Sequence, residues 1–168
     1  MARSEGAQIT VAVVDDEQNM HVYLSDVLKS SGQFDLVGCY RSGEEALAEL
    51  PRVRPQVVLM DIRMPGMSGI ECTRRLKARI PGVKVIVLTG VREDRLVSES
   101  VDAGVDGFLY KPCSLADCQR AIREALEGGS PFSADANRVV VEELLRFHQE
   151  NQAAKTLTSQ ERRTLDWV

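Results

Sequence analysis

The sequence holds only two histidines, His21 and His148, far apart in the chain, and its four cysteines (Cys39, Cys72, Cys113 and Cys118) show no C-x-x-C spacing. Such a set gives no support for a zinc site, and the cysteines read as small core or surface thiols. No apolar run approaches the roughly 20 residues that span a bilayer. The first residues, Met1–Gly6, lack an apolar stretch of signal-peptide length, and the brief run Val11–Val14 meets Asp15, Asp16 and Glu17 at once. A soluble, cytoplasmic chain with no membrane partner is expected. Positive charge is short as well: 21 basic residues against 25 acidic ones leave a net charge of −4. That balance argues against the chain as it stands neutralising nucleic-acid phosphates. Neither G-x-x-x-x-G-K-[ST] nor G-x-G-x-x-G follows the first apolar segment, which removes the common nucleotide-binding loops.

What is present is an alternation. With 43% apolar residues in 168, the chain can build a full core and has room for one ordinary domain plus roughly 40 further residues. Strands are expected at Ile9–Val14, Phe34–Cys39, Val57–Met60, Val83–Leu88 and Gly107–Tyr110. They are rich in Val and Ile and largely unbroken by polar residues, as parallel strands covered on both faces are. Between them the period becomes helical. Met20, Leu24, Val27 and Leu28 line one face of the first helix, and Leu115, Cys118, Ile122, Ala125 and Leu126 line one face of the fifth. Ser42-Gly-Glu-Glu45, Ser68-Gly-Ile-Glu71, Ser114-Leu-Ala-Asp117 and Thr158-Ser-Gln-Glu161 each fit a capping box or its Asp variant. Gly32, Gly82 and Gly104 fall where helices should stop. Five β-α units imply an α/β fold, a five-stranded doubly wound parallel sheet over residues 8–127.

The texture changes after Leu126. Gly128-Gly-Ser-Pro131 is a breaker cluster, and Ala134–Asn151 then reads as a linker helix with Val141, Leu144, Leu145 and His148 on one face. Residues 152–156 read as a polar linker closing a segment that spans 128–156. Residues 157–168 open one more helix, with Leu157, Leu165, Trp167 and Val168 to bury and nothing after them to bury against. The chain thus reads as the front part of a longer protein. From residue 119 onward there are 7 basic and 8 acidic residues, so no positive stripe is found there either.

In an open parallel sheet, ligands bind outside the carboxyl ends of the strands. Those ends carry Asp15 and Asp16 after the first strand, Asp61 after the third, Thr89 after the fourth and Lys111 after the fifth. Carboxylates about 4 Å apart repel by about 4 kcal/mol per pair at an effective dielectric near 20. Three of them stay ionised together only around a cation. Ligands that are all oxygen point to Mg²⁺. A carboxylate, a divalent ion, an ammonium and a hydroxyl around one point form a receptacle for a phosphoryl group. Asp61, on the central strand, is the expected nucleophile.

Val13-Val-Asp-Asp-Glu17, Val58-Leu-Met-Asp-Ile-Arg-Met-Pro-Gly-Met-Ser-Gly69, Val87-Leu-Thr-Gly90 and Gly107-Phe-Leu-Tyr-Lys-Pro112 resemble the receiver domain of two-component response regulators, a flavodoxin- or CheY-like fold. The resemblance implies that Asp61 is a phosphoacceptor supplied by a phosphohistidine on a sensor histidine kinase. It further implies that Asp15, Asp16, Asp61 and the backbone carbonyl of Arg63 arrange Mg²⁺, while Thr89 and Lys111 grip the phosphoryl oxygens. Thr89 and Phe108 would form the switch, Phe108 rotating inward as Thr89 vacates space. The helix expected at Arg92–Ala103 is suited to move, having only Leu96, Val97, Val101 and Ala103 as anchors. Arg63 and Val91 stand where the family varies and where the lifetime of the acyl phosphate is set. Tyr110, usually aliphatic there, is expected to pack under the fifth helix.

Gly129-Ser-Pro131 with its following helix, and then Leu157-Thr-Ser-Gln-Glu-Arg162, resemble the NarL/FixJ subfamily, whose linker leads into a LuxR-type helix-turn-helix. Residues 157–168 would be only the start of that domain. DNA would be contacted only through the part missing from this chain, and phosphorylation would drive homodimerisation. The competing readings are a stand-alone receiver and a Mg²⁺-dependent phosphatase with an aspartyl nucleophile. The latter needs a second acid two residues after the nucleophile, where this chain has Arg63, which cannot act as an acid near neutral pH.

Overall fold

The computed structural model describes the backbone of residues 7–165 and the side chains through Ala154. Strand and helix alternate from β1 (Ile9–Val14) and α1 (Gln18–Lys29) through β2 (Phe34–Tyr40), α2 (Gly43–Val53), β3 (Val57–Met60) and α3 (Gly69–Arg79). They continue with β4 (Lys84–Thr89), α4 (Asp94–Asp102), β5 (Gly107–Tyr110) and α5 (Leu115–Leu126), and the chain passes into a long α6 (Ala134–Leu165). The strands form one sheet in the order β2-β1-β3-β4-β5, every pair parallel. All five expected strands are present within a residue of the bounds read from the sequence.

The period-2 geometry of a strand divides the core into two layers. Val11, Val13, Val57, Leu59, Ile86, Leu88 and Leu109 face α1 and α5, meeting Leu24, Leu28, Cys118 and Ile122. Ala12, Val14, Val58, Met60 and Val85 face α2 and α3, meeting Ala46, Leu50, Cys72 and Leu76. Each fully buried Val, Leu or Ile contributes roughly 1.5–3 kcal/mol, so both covered faces are needed to hold so short a sheet. Three of the four expected caps form: Ser42, Ser68 and Ser114 accept from the amides of Glu45, Glu71 and Asp117 at 3.1, 3.3 and 3.1 Å.

Beyond β5 the chain adds a rung to the sheet. The Phe108 amide donates to Pro131 O at 3.0 Å, and the Ser133 amide donates to Phe108 O at 2.8 Å, pairing Phe132 beside Phe108 in parallel. The start of α6 then lies on α4. Ala136 and Val139 are buried with Leu96, Val97 and Phe108. Ion pairs join Arg92 to Asp135 at 2.8 Å and Arg138 to Asp94 at 3.7 Å, and the Ser98 hydroxyl donates to Glu143.

The structure departs from the sequence reading along α6, in α4 and at β5. The helix does not break at residues 152–156 but runs on to Leu165. No Gly or Pro interrupts residues 134–165, and Gln, Ala and Lys are good helix formers, so Thr158 is helical backbone and not a cap. The face Val141, Leu144, Leu145 and His148 is exposed, because among the described residues α6 meets α4 only through its first turns; the side chains of Leu157, Leu165, Trp167 and Val168, named as residues to bury, lie outside the described residues. In α4, Val101 is 39% exposed and Ser100 takes its place inside, its hydroxyl donating to Leu96 O at 2.6 Å. With α6 laid across it, α4 is better anchored than its own residues suggest. Tyr110 shares the α4 and α6 side with Phe108, since alternate residues of a strand point the same way and Leu109 is the one that faces α5.

Candidate functional site

The carboxyl ends of β1, β3, β4 and β5 converge because the sheet ladder runs one residue past the strands. Asp15 N donates to Tyr40 O at 3.0 Å, Asp61 N to Val14 O at 2.8 Å and Lys111 N to Thr89 O at 2.8 Å. These bonds fix three backbones at one rim, and their side chains meet above it. One carboxylate oxygen from each of Asp15, Asp16 and Asp61 lies within 4.8 Å of the other two. Among the described residues no other three His, Cys, Asp or Glu side chains gather as closely.

Lys111 supplies the positive charge. Its Nζ is 2.7 Å from Asp15 Oδ2 and 3.8 Å from Asp61 Oδ1. Asp15 Oδ1 accepts from Glu17 N at 2.9 Å, and Asp61 Oδ1 accepts from Ile62 N at 2.9 Å. Burial pushes the Asp61 carboxyl up to about 6; Lys111 pulls against the rise, Asp15 adds to it, and the Ile62 amide and Thr89 hydroxyl oppose it. Thr89 is fully buried, with its Oγ1 accepting from Val91 N at 3.3 Å. The donor set suits a hard divalent cation: three carboxylates, no sulfur and no imidazole within the group. One partly compensated, desolvated carboxylate beside an ammonium is the environment in which a phosphoryl group finds both a nucleophile and countercharge.

Arg63 lies in the loop after β3, exposed, its guanidinium paired with Glu93 ahead of α4. Phe108 sits beyond this rim. It is fully buried, edge to face with Tyr110 at 5.3 Å between ring centroids, while the Arg92 guanidinium lies 4.5 Å above the Tyr110 ring. The inward rotation expected of Phe108 therefore has no exposed starting point here: its ring is already inside.

Two supporting residues were not read from the sequence. His21 Nε2 is 2.6 Å from Asp15 O. A carbonyl only accepts, so Nε2 carries the proton and braces the backbone that holds Asp15. The signal was its place in the first turn of α1, on the face that also carries Leu24 and Leu28. Gly69 is the other: a Cβ built there would stand 1.9 Å from Asp61 O, so only glycine lets α3 begin this close to the reactive strand end. The sequence does show Gly69 next to the Ser68 cap, but the close approach is a tertiary fact.

The chain is similar to known proteins. Residues 11–123 match the family model described as the response regulator receiver domain. The chain is similar to the response regulator protein VraR of Staphylococcus saprophyticus, 33% identical over 153 residues, which is 91% of this chain and 72% of that one. Among solved structures it resembles the signal receiver domain of a response regulator named NarL from Mycobacterium tuberculosis. There the TM-score is 0.70 with 26% identity, over 73% of this chain and 99% of that one. A LuxR-family response regulator from Aurantimonas shares the fold at TM-score 0.75 and 21% identity, over 83% of this chain and 99% of that one.

Proposed function

The chain belongs to the response regulator receiver domain family, and on that premise we propose that Asp61 accepts a phosphoryl group from the phosphohistidine of a sensor kinase. The observation that carries this reading is the trio Asp15, Asp16 and Asp61 within 4.8 Å, with Lys111 between Asp15 and Asp61. Asp15, Asp16, Asp61 and the Arg63 carbonyl would hold Mg²⁺, which when bound supplies positive charge to the phosphoryl oxygens. Asp61 attacks phosphorus through a carboxylate oxygen; the new O–P bond forms as the donor's P–N bond breaks. Lys111 stays within reach of the transferred group's oxygens, and the Thr89 hydroxyl turns toward them. Arg63 offers no proton to a leaving group, which favours a phosphoacceptor over a phosphatase.

The signal leaves through β5. Movement of Thr89 alters the packing beside Phe108, and the two backbone bonds from Phe108 to Pro131 and Ser133 hand that change to α6. The subfamily likeness makes α6 a link toward a LuxR-type DNA-binding domain, with homodimerisation as the step that positions it. The site of action is the cytoplasm, consistent with the lack, among the described residues, of any helix long and apolar enough to cross a membrane.

Acetyl phosphate with Mg²⁺ tests the acceptor. The wild-type chain gains one phosphoryl group by intact mass, and Asp61→Asn, folded by circular dichroism, gains none. Labelling retained in the variant would move the acceptor elsewhere. Beryllofluoride should raise the mass in solution by light scattering, and an unchanged monomer would argue against dimerisation.

A further inference from the structure

Two of the four cysteines meet. Cys113 immediately precedes the N-cap Ser114 of α5, and Cys118 is the fourth residue of that helix. At these two positions an apolar pair commonly staples the incoming chain to the first turn. Here both are thiols, with Sγ atoms 3.0 Å apart, the Cys118 thiol donating to Cys113. Cys118 is fully buried among Leu24, Leu88 and Ile122. Cys113 is half-buried and opens onto a cavity of about 460 Å³ that it lines with Met20, Tyr23, Leu88, Lys111 and Pro112. The Tyr23 hydroxyl donates to Cys113 O at 2.8 Å, so the backbone on which this thiol sits is held from α1 as well as from α5.

We propose that Cys113 and Cys118 are a redox pair that a hydroperoxide converts into an intramolecular disulfide. A bond requires the sulfurs to close to about 2.05 Å, an approach of about 1 Å that the non-helical Cys113 can supply. Cys113 is the sulfur a peroxide reaches first, being the one that faces the cavity. The hydrogen bond from Cys118 also holds the Cys113 thiol below its ordinary range, with Arg120 assisting and burial and Asp117 opposing. The same hydrogen bond and then burial push the Cys118 thiol up, leaving it the resolving partner.

The chemistry balances with the peroxide as sole oxidant. The Cys113 thiolate attacks one peroxide oxygen; the O–O bond breaks, a sulfenic acid forms, and the leaving oxygen takes up a proton as water or an alcohol. Cys118 sulfur then attacks Cys113 sulfur. The S–O bond breaks and the hydroxyl departs with the Cys118 proton as water. Two thiols are oxidised and one peroxide is reduced. The bridge would tie the loop that carries Lys111 directly to α5. The other two cysteines are built differently: burial pushes the Cys72 thiol up to about 12, it donates to Gly43 O at 3.6 Å, and Cys39 stands on β2.

The pair is independent of phosphoryl transfer, so its test does not depend on Asp61. The full chain is reduced, treated with hydrogen peroxide, alkylated and digested with trypsin. The peptide from Leu96 to Arg120, which holds both cysteines, is expected to lose two hydrogens and resist alkylation, and dithiothreitol is expected to restore both thiols. Cys113→Ser and Cys118→Ala should each abolish the loss, while Cys39→Ser should leave it intact. Cys113→Ser alters a half-exposed position, so it stays informative if Cys118→Ala fails to fold. Oxidation that stops at a sulfinic acid on Cys113 while Cys118 remains alkylatable would overturn the proposal. So would chains cross-linked through Cys113, or a loss of two hydrogens that persists in Cys113→Ser.

Discussion

Lys111 stands 2.7 Å from Asp15 and 3.8 Å from Asp61. The ammonium thus neutralises the supporting carboxylate more fully than the one proposed to react. Asp61 keeps an uncompensated share of its charge, and that is what a cation or a phosphoryl group arriving at this rim can exploit.

Lys111→Met leaves Asp15 buried without its partner. Breaking a buried ion pair from one side costs about 3–5 kcal/mol. The chelated variant should melt well below wild type, and added Mg²⁺ should raise its midpoint by more than it raises that of wild type. Equal Mg²⁺ shifts in thermal melts would mean that the ammonium and the metal do not share a site.

The pH dependence follows from Asp61, whose carboxyl burial pushes up to about 6. Between about pH 4 and that value the folded chain keeps a proton that the unfolded chain releases. This contribution to stability is complete at the acid end and is lost as pH rises through 6. Asp61→Asn stays neutral throughout. In chelator, the variant should match wild type at pH 4 and melt higher at pH 7.5, and a gap that does not widen with pH would contradict the assignment.

Gly69→Ala forces a Cβ to within 1.9 Å of Asp61 O. Overpacking costs about 1–3 kcal/mol, and the upper end is expected because the obstacle is backbone and not a flexible side chain. Urea unfolding measures the loss. Phosphoryl uptake should fall with it, since the displaced atom belongs to the proposed acceptor.

Ala136→Glu places a charge in the apolar contact between α6, α4 and Phe108, where Ala136 is fully buried. The helix should lift from α4, with a stability loss of at least about 2 kcal/mol. Limited proteolysis around residues 130–140 should accelerate while the sheet resists. Unchanged cleavage would mean that α6 is held chiefly by its ion pairs.

The strands and caps were legible because their causes are local: Val- and Ile-rich runs for strands covered on both faces, and Ser42, Ser68 and Ser114 for helix starts. The rim was legible because Asp15, Asp61, Thr89 and Lys111 immediately follow or end strands, and parallel order brings such positions together. What escaped was set by tertiary packing. The side on which Tyr110 lies depends on the phase of β5, and the apolar stripe of α6 does not reveal that only its first turns touch α4. Polarity at residues 152–156 suggests a break, yet a polar stretch without Gly or Pro can remain helical, as it does here. Cys113 and Cys118 stand at the staple positions around the Ser114 cap, but the approach of their sulfurs to 3.0 Å is set by how the chain turns into α5.

The paired rung at Phe132 has a further consequence for solubility. Pro131 and Ser133 occupy the Phe108 amide and carbonyl that β5 would otherwise offer outward, so at that residue the margin of the sheet is closed to a foreign strand. A chain cut before Pro131 would bare the Phe108 amide and carbonyl as a point of strand addition, and light scattering of that shorter chain would read self-association through β5.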